Sequence, residues 1–205
     1  FEGDPRNELY HRFLDAAVLW RPLAVVMENV PGMLSVAGRN VADEAASDLA
    51  AKGYRVGYAI LNAAWYGVPQ YRERLFIIGI REDLGVEPRM PPATHRATLP
   101  SGYQRPADHA WNLSLPFVRH SELPVDLRRA DKDATTVMDA LDDLPALRHH
   151  LGHRGPDPTE YRSPPHSEYA QWMRAWPGFR GPSHPSMHVT RKTPRDYETF
   201  RRMRP

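Results

Sequence analysis

The sequence changes abruptly from apolar to acidic at the end of the run Leu23–Met27. Glu28 and Asn29 end the run, and Pro31 and Gly32 then turn the chain. A short apolar run of this kind predicts a buried strand, most readily a central strand of a parallel sheet that is covered on both faces. Ligands of such sheets bind beyond the carboxyl ends of the strands, so Glu28 is predicted to lie at the rim of a pocket. The alternative is a solvated acid at an ordinary strand exit.

Helical and extended patterns alternate in the first part of the chain. The spacing of apolar residues predicts helices over 5–20 and 41–52, and strands over 54–61 and 74–80. Asn40 and Asp43 are predicted to cap the second helix. This order is typical of an α/β protein with a mainly parallel sheet. Only twelve residues separate the last two strands, too few for a helical crossover, so that pair is predicted to be antiparallel.

The character of the sequence changes beyond Glu82. The chain has 21 prolines, and they cluster after Glu87. Short helices are predicted over 135–144, 167–174 and 194–203. The sequence therefore predicts two parts: residues 1–82 form an ordered α/β core, and residues 83–205 form an irregular, loop-rich recognition region.

The charge distribution indicates a polyanionic partner. The net charge is +2, but residues 148–205 contain eleven Arg or Lys and five Asp or Glu, a difference of +6. The alternative is an ordinary solvated face. The chain has no cysteine, which excludes disulfides, thiolate metal sites and a cysteine nucleophile within it. No apolar run reaches the length of a membrane span, so a cytoplasmic protein without membrane contact is expected. Both ends of the sequence look cut, and a fragment is expected.

Two groups of histidines have spacings that metal ligands can have. His149, His150 and His153 are closely spaced, but the surrounding sequence is rich in proline and glycine and offers no partner carboxylate. His184 and His188 have helical spacing, but Pro185 between them argues against a helix. No metal site is predicted.

Three polar residues alternate at the entry to the last strand. Gln70, Arg72 and Arg74 are predicted to point to one face. The forked guanidinium of arginine suits a carboxylate, a base oxygen or a phosphate. The alternative is a hairpin with charged residues on its solvent side.

Taken together, these segments resemble the cytosine-C5 DNA methyltransferases. Glu28-Asn29-Val30 resembles the family's E-N-V motif, and Leu61-Asn62-Ala63 followed by Gln70-x-Arg72-x-Arg74 resembles its Gln-x-Arg-x-Arg motif. Residues 1–7 are similar to the segment after the family's catalytic loop. Residues 136–145, 161–174 and 188–205 resemble the start of the target-recognition region in one branch of the family. The resemblance implies a partial Rossmann-like, S-adenosylmethionine-dependent methyltransferase sheet followed by that region.

The resemblance also implies a role for each motif residue. Glu28 would hydrogen-bond N3 and the exocyclic amine of a flipped cytosine. Arg74 would hold Glu28 and the base O2, and Arg72 would lie close to the base and its phosphate. Asn29 would position the loop that bears the nucleophile, and Gln70 would stand beside the pocket.

Further expectations concern the cofactor and the partners. S-adenosyl-L-methionine would be the cofactor, and Leu9 would contact it. The substrate would be double-stranded DNA, and a cognate restriction endonuclease and a monomeric intact protein associated with the nucleoid are expected. Six basic residues are expected to contact the DNA backbone: Arg191, Lys192, Arg195, Arg201, Arg202 and Arg204.

Several segments of the family pattern are missing from the sequence. The Pro-Cys loop, the glycine-rich cofactor loop, the late arginine motif and the final asparagine-bearing cofactor motif are not found. The chain alone is therefore expected to be inactive. Two alternatives stay open: a non-catalytic DNA-binding remnant, and an RNA cytosine-C5 methyltransferase.

Overall fold

The computed structural model describes residues 9–36, 38–98, 123–145, 160–181, 184–185 and 202. The chain divides into two compact units, one up to Ala134 and the other from Thr135, and each is described by itself. The first unit contains helices α1 (Leu9–Trp20) and α2 (Val41–Ala50) and strands β1 (Ala24–Asn29), β2 (Tyr54–Asn62), β3 (Glu73–Arg81), β4 (His95–Arg96) and β5 (Lys132–Asp133). Short 3-10 helices follow β1, β2 and β3 at Pro31–Leu34, Ala63–Tyr66 and Glu82–Leu84.

The main sheet has the order β1-β3-β2, and both strand pairs are antiparallel. The predicted antiparallel pairing of β2 with β3 is confirmed. The prediction that β1 is a central parallel strand covered on both faces is wrong for the residues that the structure describes. Within them β1 lies at an edge, and it buries Val25 and Met27 while Val26 and Glu28 are exposed. An apolar run therefore forms a strand of which only alternate residues reach the core.

One face of the sheet is covered by the two helices, and we call it the core face. Helix α2 contributes Ala42, Ala45, Ala46 and Leu49, whose i, i+3, i+4, i+7 spacing makes one apolar stripe. Leu75 and Ile77 of β3 are fully buried beneath the helices. Burying a side chain of this size stabilises a fold by about 1.5–3 kcal/mol.

The start of α2 is fixed by a residue that also bonds to the sheet. Asn40 caps the helix through its side-chain oxygen, which accepts from the Asp43 amide at 3.1 Å, and the predicted cap is confirmed. The side-chain amide of Asn40 donates to the Tyr58 hydroxyl of β2 at 3.2 Å. One buried asparagine therefore connects the helix to the strand.

The opposite face of the sheet, which we call the site face, is covered by irregular chain. Ala59, Leu61 and Met90 are buried there, with Phe76, Ile78, Leu123 and Val125 packed against them. The Leu123 amide donates to Tyr58 O at 2.7 Å, and the Leu123 side chain fills the space beside Gly57. Segments beyond residue 82 thus belong to the same compact unit as the strands.

The second unit contains helices α3 (Val137–Leu141) and α4 (Glu168–Arg174) and a hairpin of β6 (Ala175–Trp176) and β7 (Phe179–Arg180). The helices predicted over 135–144 and 167–174 are both present, and the first is shorter than predicted. Helix α3 ends at Leu141. Asp142 is its C-cap residue and still has helical dihedral angles, and Pro145 lies three residues further on. The predicted helix over 194–203 lies outside the described residues except for Arg202. Among the helices of the described ranges, none has the length and apolar character that a membrane crossing requires.

Candidate active site

An ion pair joins the ends of two neighbouring strands on the site face. In the register of β1 and β3, Glu28 lies opposite Phe76, and Arg74 is two residues before Phe76. Residues two apart on a strand share a face, so Glu28 and Arg74 are diagonal neighbours. The Arg74 Nε lies 2.9 Å from Glu28 Oε1, and Arg74 Nη1 donates to Glu73 O at 2.8 Å. The guanidinium is therefore fixed on one side by backbone and on the other by the carboxylate.

The two partners differ in exposure. The side chain of Glu28 is 52% exposed and that of Arg74 is 23% exposed. A half-exposed ion pair contributes little to folding, about 0.2–1 kcal/mol. The pair therefore orients the carboxylate more than it stabilises the sheet, and Glu28 stays accessible to a ligand.

Arg72 lies at the edge of the same ladder. Strand β3 begins at Glu73, but the Ala63 amide donates to Arg72 O at 3.0 Å and continues the register by one residue pair. Arg72 is exposed and falls on the alternation of Arg74, two residues away. The ladder thus places the backbone of Arg72 in line with Arg74 at the entry to β3.

Gln70 and Asn29 do not join this group. Gln70 lies in the loop before β3, where its amide donates to Val68 O at 2.7 Å, so the predicted strand alternation does not extend to it. Asn29 lies opposite Leu75 and hence on the core face of β1, and its side-chain oxygen accepts from the Val30 amide at 2.8 Å. Asn29 therefore shapes the turn after β1.

The other predicted site residues lie away from the ion pair or outside the described ranges. Leu9 is the first residue of α1 and is exposed. Arg202 is exposed, and the remaining five basic residues of 191–204 lie outside the described ranges. In the part of the chain that the structure describes, no group of three or more metal-ligating side chains occurs. His149, His150, His153 and His188 lie outside it, and His184 lies within it.

Sequence reasoning did not single out Asn62 as a functional residue. Its side chain is almost completely buried, and its oxygen accepts from the Ala64 amide at 3.0 Å and the Arg72 amide at 3.3 Å. It thereby closes the base of the loop that leads to Arg72. The sequence signal was an asparagine at a strand end before a short helical turn, where asparagine commonly caps.

Residues 2–149 match the protein family described as C-5 cytosine-specific DNA methylase. The chain belongs to this family. The matched range includes Glu28, Arg72 and Arg74.

Relatives of this DNA methylase chain have names that assign them to the type II methyltransferases. It is 32% identical over 210 residues to M.OihORF3336P of Oceanobacillus iheyensis, an alignment that covers 98% of this chain and 44% of the relative. It is 31% identical over 175 residues to M.AgeI of Thalassovita gelatinovora, covering 84% of this chain and 37% of M.AgeI. M.BsuRI of Bacillus subtilis is 41% identical over 92 residues, covering 45% of this chain and 21% of that protein. The chain thus spans less than half the length of these relatives.

Proposed function

We propose that this chain is part of a DNA (cytosine-5-)-methyltransferase, which transfers a methyl group from S-adenosylmethionine to C5 of a cytosine flipped out of duplex DNA. The observation that carries the proposal is the Glu28–Arg74 pair, half-exposed at the edge of the site face. Membership of the cytosine-specific DNA methylase family supports it. Residues 1–82 are the second part of the catalytic domain, and residues 83–205 are a linker and the start of the target-recognition domain.

The Watson–Crick edge of cytosine matches the groups that this pair presents. Cytosine offers a donor at its exocyclic amine and acceptors at N3 and O2. A glutamate oxygen accepts from the amine, a protonated glutamate donates to N3, and a guanidinium donates to O2. Attack of a nucleophile at C6 builds negative charge at N3, so a proton held by Glu28 stabilises that state.

Arg74 and Arg72 have separate tasks in this proposal. Arg74 fixes one Glu28 oxygen at 2.9 Å, which sets the direction of the carboxylate before the base arrives. Arg72 is exposed two residues away and binds the base or its phosphate. Gln70 borders the pocket, and Asn29 acts on the nucleophile loop through the turn that it shapes.

Most of the S-adenosylmethionine site would lie outside this sequence. Leu9 is the one residue assigned to S-adenosylmethionine, and a single exposed leucine offers no polar group to an adenosine or a carboxylate. The methyl donor and the cysteine nucleophile would be held by segments outside this sequence, which contains no cysteine. The chain alone is therefore proposed to be inactive.

The architecture and the setting complete the proposal. Among the described residues β1 pairs only with β3, and Val26 and Leu23 on or beside it are exposed, as are Leu19 and Trp20 at the end of α1. A Rossmann-like sheet continuing beyond β1 would cover these apolar side chains. The intact enzyme would be a cytoplasmic, nucleoid-associated monomer, acting beside a cognate restriction endonuclease, and the basic residues of 191–204 would bind DNA phosphates.

The test is to identify the product of the full-length protein encoded by the gene that contains this sequence. The protein is incubated with S-adenosylmethionine labelled in the methyl group and with duplex DNA or RNA, and the modified nucleosides are separated. We expect labelled 5-methylcytosine in DNA. A methylated adenine, N4-methylcytosine or methylated RNA would overturn the proposal. DNA binding without methylation would instead establish a non-catalytic remnant.

A further inference from the structure

The loop between β2 and β3 (Ala63–Arg72) is held at its base. Asn62 closes that base with two bonds from loop amides, at Ala64 and Arg72. A backbone hydrogen bond from the Ala63 amide to Arg72 O also joins the two ends of the loop. Because Arg72 is the last residue of this loop, its position depends on how firmly the rest of the loop is held.

The tip of the loop is covered by a second segment, Pro91–Thr98, which we call the strap. The Thr94 amide donates to Trp65 O at 2.9 Å, and its hydroxyl donates to the same oxygen at 3.3 Å. The Tyr66 hydroxyl donates to Pro91 O at 2.9 Å, and the Tyr71 hydroxyl donates to Thr98 O. Burial raises the pKa of Tyr66, so its phenol stays protonated and able to donate.

The strap places an imidazole against the one glycine at the loop tip. Gly67 has φ +82°, and a Cβ built on it would lie 2.7 Å from His95 Cε1 and 3.0 Å from Nε2. Glycine is therefore needed at this position both for its backbone conformation and for the approach of the ring.

The His95 ring is itself held in place. Its Nδ1 lies 2.8 Å from the Thr94 hydroxyl oxygen. This is hydrogen-bond distance, so the Thr94 hydroxyl holds the Nδ1 side of the ring. His95 also pairs with Lys132 through β4 and β5. One ring nitrogen is thus held by the Thr94 hydroxyl and the backbone of His95 by the strand pairing, while the Cε1–Nε2 edge of the ring lies against Gly67.

We propose that His95 is a positioning residue of the active site, which packs on Gly67 and holds the Ala63–Arg72 loop so that Arg72 is set for the base. The inference rests on the proposed function for its catalytic consequence. The contact between the His95 ring and Gly67 is given by the distances and does not depend on that function. His95 touches no substrate and acts only through the loop.

The experiment uses the full-length protein with three substitutions of His95 and Gly67. In His95→Ala the ring is lost, and we expect kcat for methyl transfer to fall about tenfold to a hundredfold, since small displacements of a binding group cost that much. The KM for DNA and the unfolding midpoint should change little. His95→Phe refills the space above Gly67 and should restore most of kcat. Gly67→Ala should lower kcat at least as much as His95→Ala.

A matched control separates the ring contact from backbone strain. Gly53 has φ +87°, and a Cβ built there meets nothing within 4 Å. Gly53→Ala therefore introduces the same left-handed strain without a collision, and it should leave kcat unchanged. An equal loss of kcat in Gly53→Ala and Gly67→Ala would overturn the proposal, and so would full activity of His95→Ala.

Hydrogen exchange gives a readout that does not depend on methylation. In His95→Ala the amides of 63–72 should exchange faster while those of β1 and β3 stay protected. Unchanged exchange in the loop would contradict the proposal even if no methylation is found in any variant. Faster exchange with a wild-type protein that does not methylate would leave the loop contact supported and the proposed function refuted.

Discussion

The two faces of the β1-β3-β2 sheet are made by alternate residues of the same strands and yet differ in kind. On the core face Leu75 and Ile77 are sealed beneath two helices whose contacts are apolar. On the site face the neighbouring residues Phe76 and Ile78 are only partly buried, under irregular chain, and the row ends in Arg74 and its carboxylate partner. The core face is thus closed by apolar packing, whereas the edge of the site face leaves Glu28 and Arg74 partly exposed.

The largest expected effect compares adjacent isoleucines that point to opposite faces. Ile77→Ala should lower the free energy of unfolding of the chain by about 2–5 kcal/mol, because it opens a cavity in the closed core. Ile78→Ala removes the same atoms from the partly covered site face and should cost clearly less. Urea unfolding of both variants measures the difference. Equal losses would show that the two faces are packed alike.

A smaller effect is expected where two strands approach most closely on the core face. A Cβ added at Gly79 would lie 2.7 Å from Val25 Cγ2, its register partner on β1. Gly79→Ala should therefore cost about 1–3 kcal/mol of unfolding free energy through overpacking. Shortening the neighbour in Val25→Ala/Gly79→Ala should recover part of the loss. If the double variant loses more unfolding free energy than the two single variants lose together, the close approach is not the cause.

The smallest effect concerns the ion pair between Arg81, the last residue of β3, and the exposed Asp83. The hydrogen bond from the Arg81 guanidinium, 2.7 Å from Asp83 Oδ1, lowers the pKa of Asp83 below its ordinary 3.8. A carboxylate whose pKa is lower in the folded state stabilises the fold at pH values above its unfolded-state pKa. That stabilisation is lost as the pH falls through the folded-state pKa. Asp83→Asn should therefore lower the unfolding midpoint slightly at pH 7 and not at a pH well below 3.8.

The neighbouring acid supplies the control for that measurement. Glu82 is exposed and has no ion pair within the part of the chain that the structure describes. Glu82→Gln should leave the pH dependence of the midpoint unchanged. If the difference between Asp83→Asn and the wild type grew toward acid pH, the direction assigned to the Asp83 pKa would be wrong.

The sequence predicted the elements of the core face well because their periodicities are local. The spacing of α2, the cap at Asn40 and the antiparallel pairing of β2 and β3 all follow from residues close together in the chain. The edge position of β1 did not follow, since an apolar run does not reveal which of its alternate residues will be covered.

The candidate site was predictable in part. The family motifs placed Glu28 and Arg74 together, and the register of β1 and β3 brings them into contact. The contact of His95 with Gly67 joins residues 28 apart through irregular chain, which no periodicity signals. The covering of the site face by Leu123 depends likewise on a distant segment that composition alone assigned to a recognition region.

We propose that the Glu28 carboxylate at the end of the site face binds cytosine and is more than one half of a structural ion pair. The most direct measurement is turnover per bound duplex for Glu28→Gln in the full-length protein, with duplex affinity and unfolding midpoint measured alongside. We predict that turnover falls about a hundredfold to a thousandfold, as when other groups that stabilise developing charge are removed. Affinity and stability should stay close to wild type because the pair is half-exposed. Preserved turnover per bound complex with collapsed binding or stability would contradict the claim.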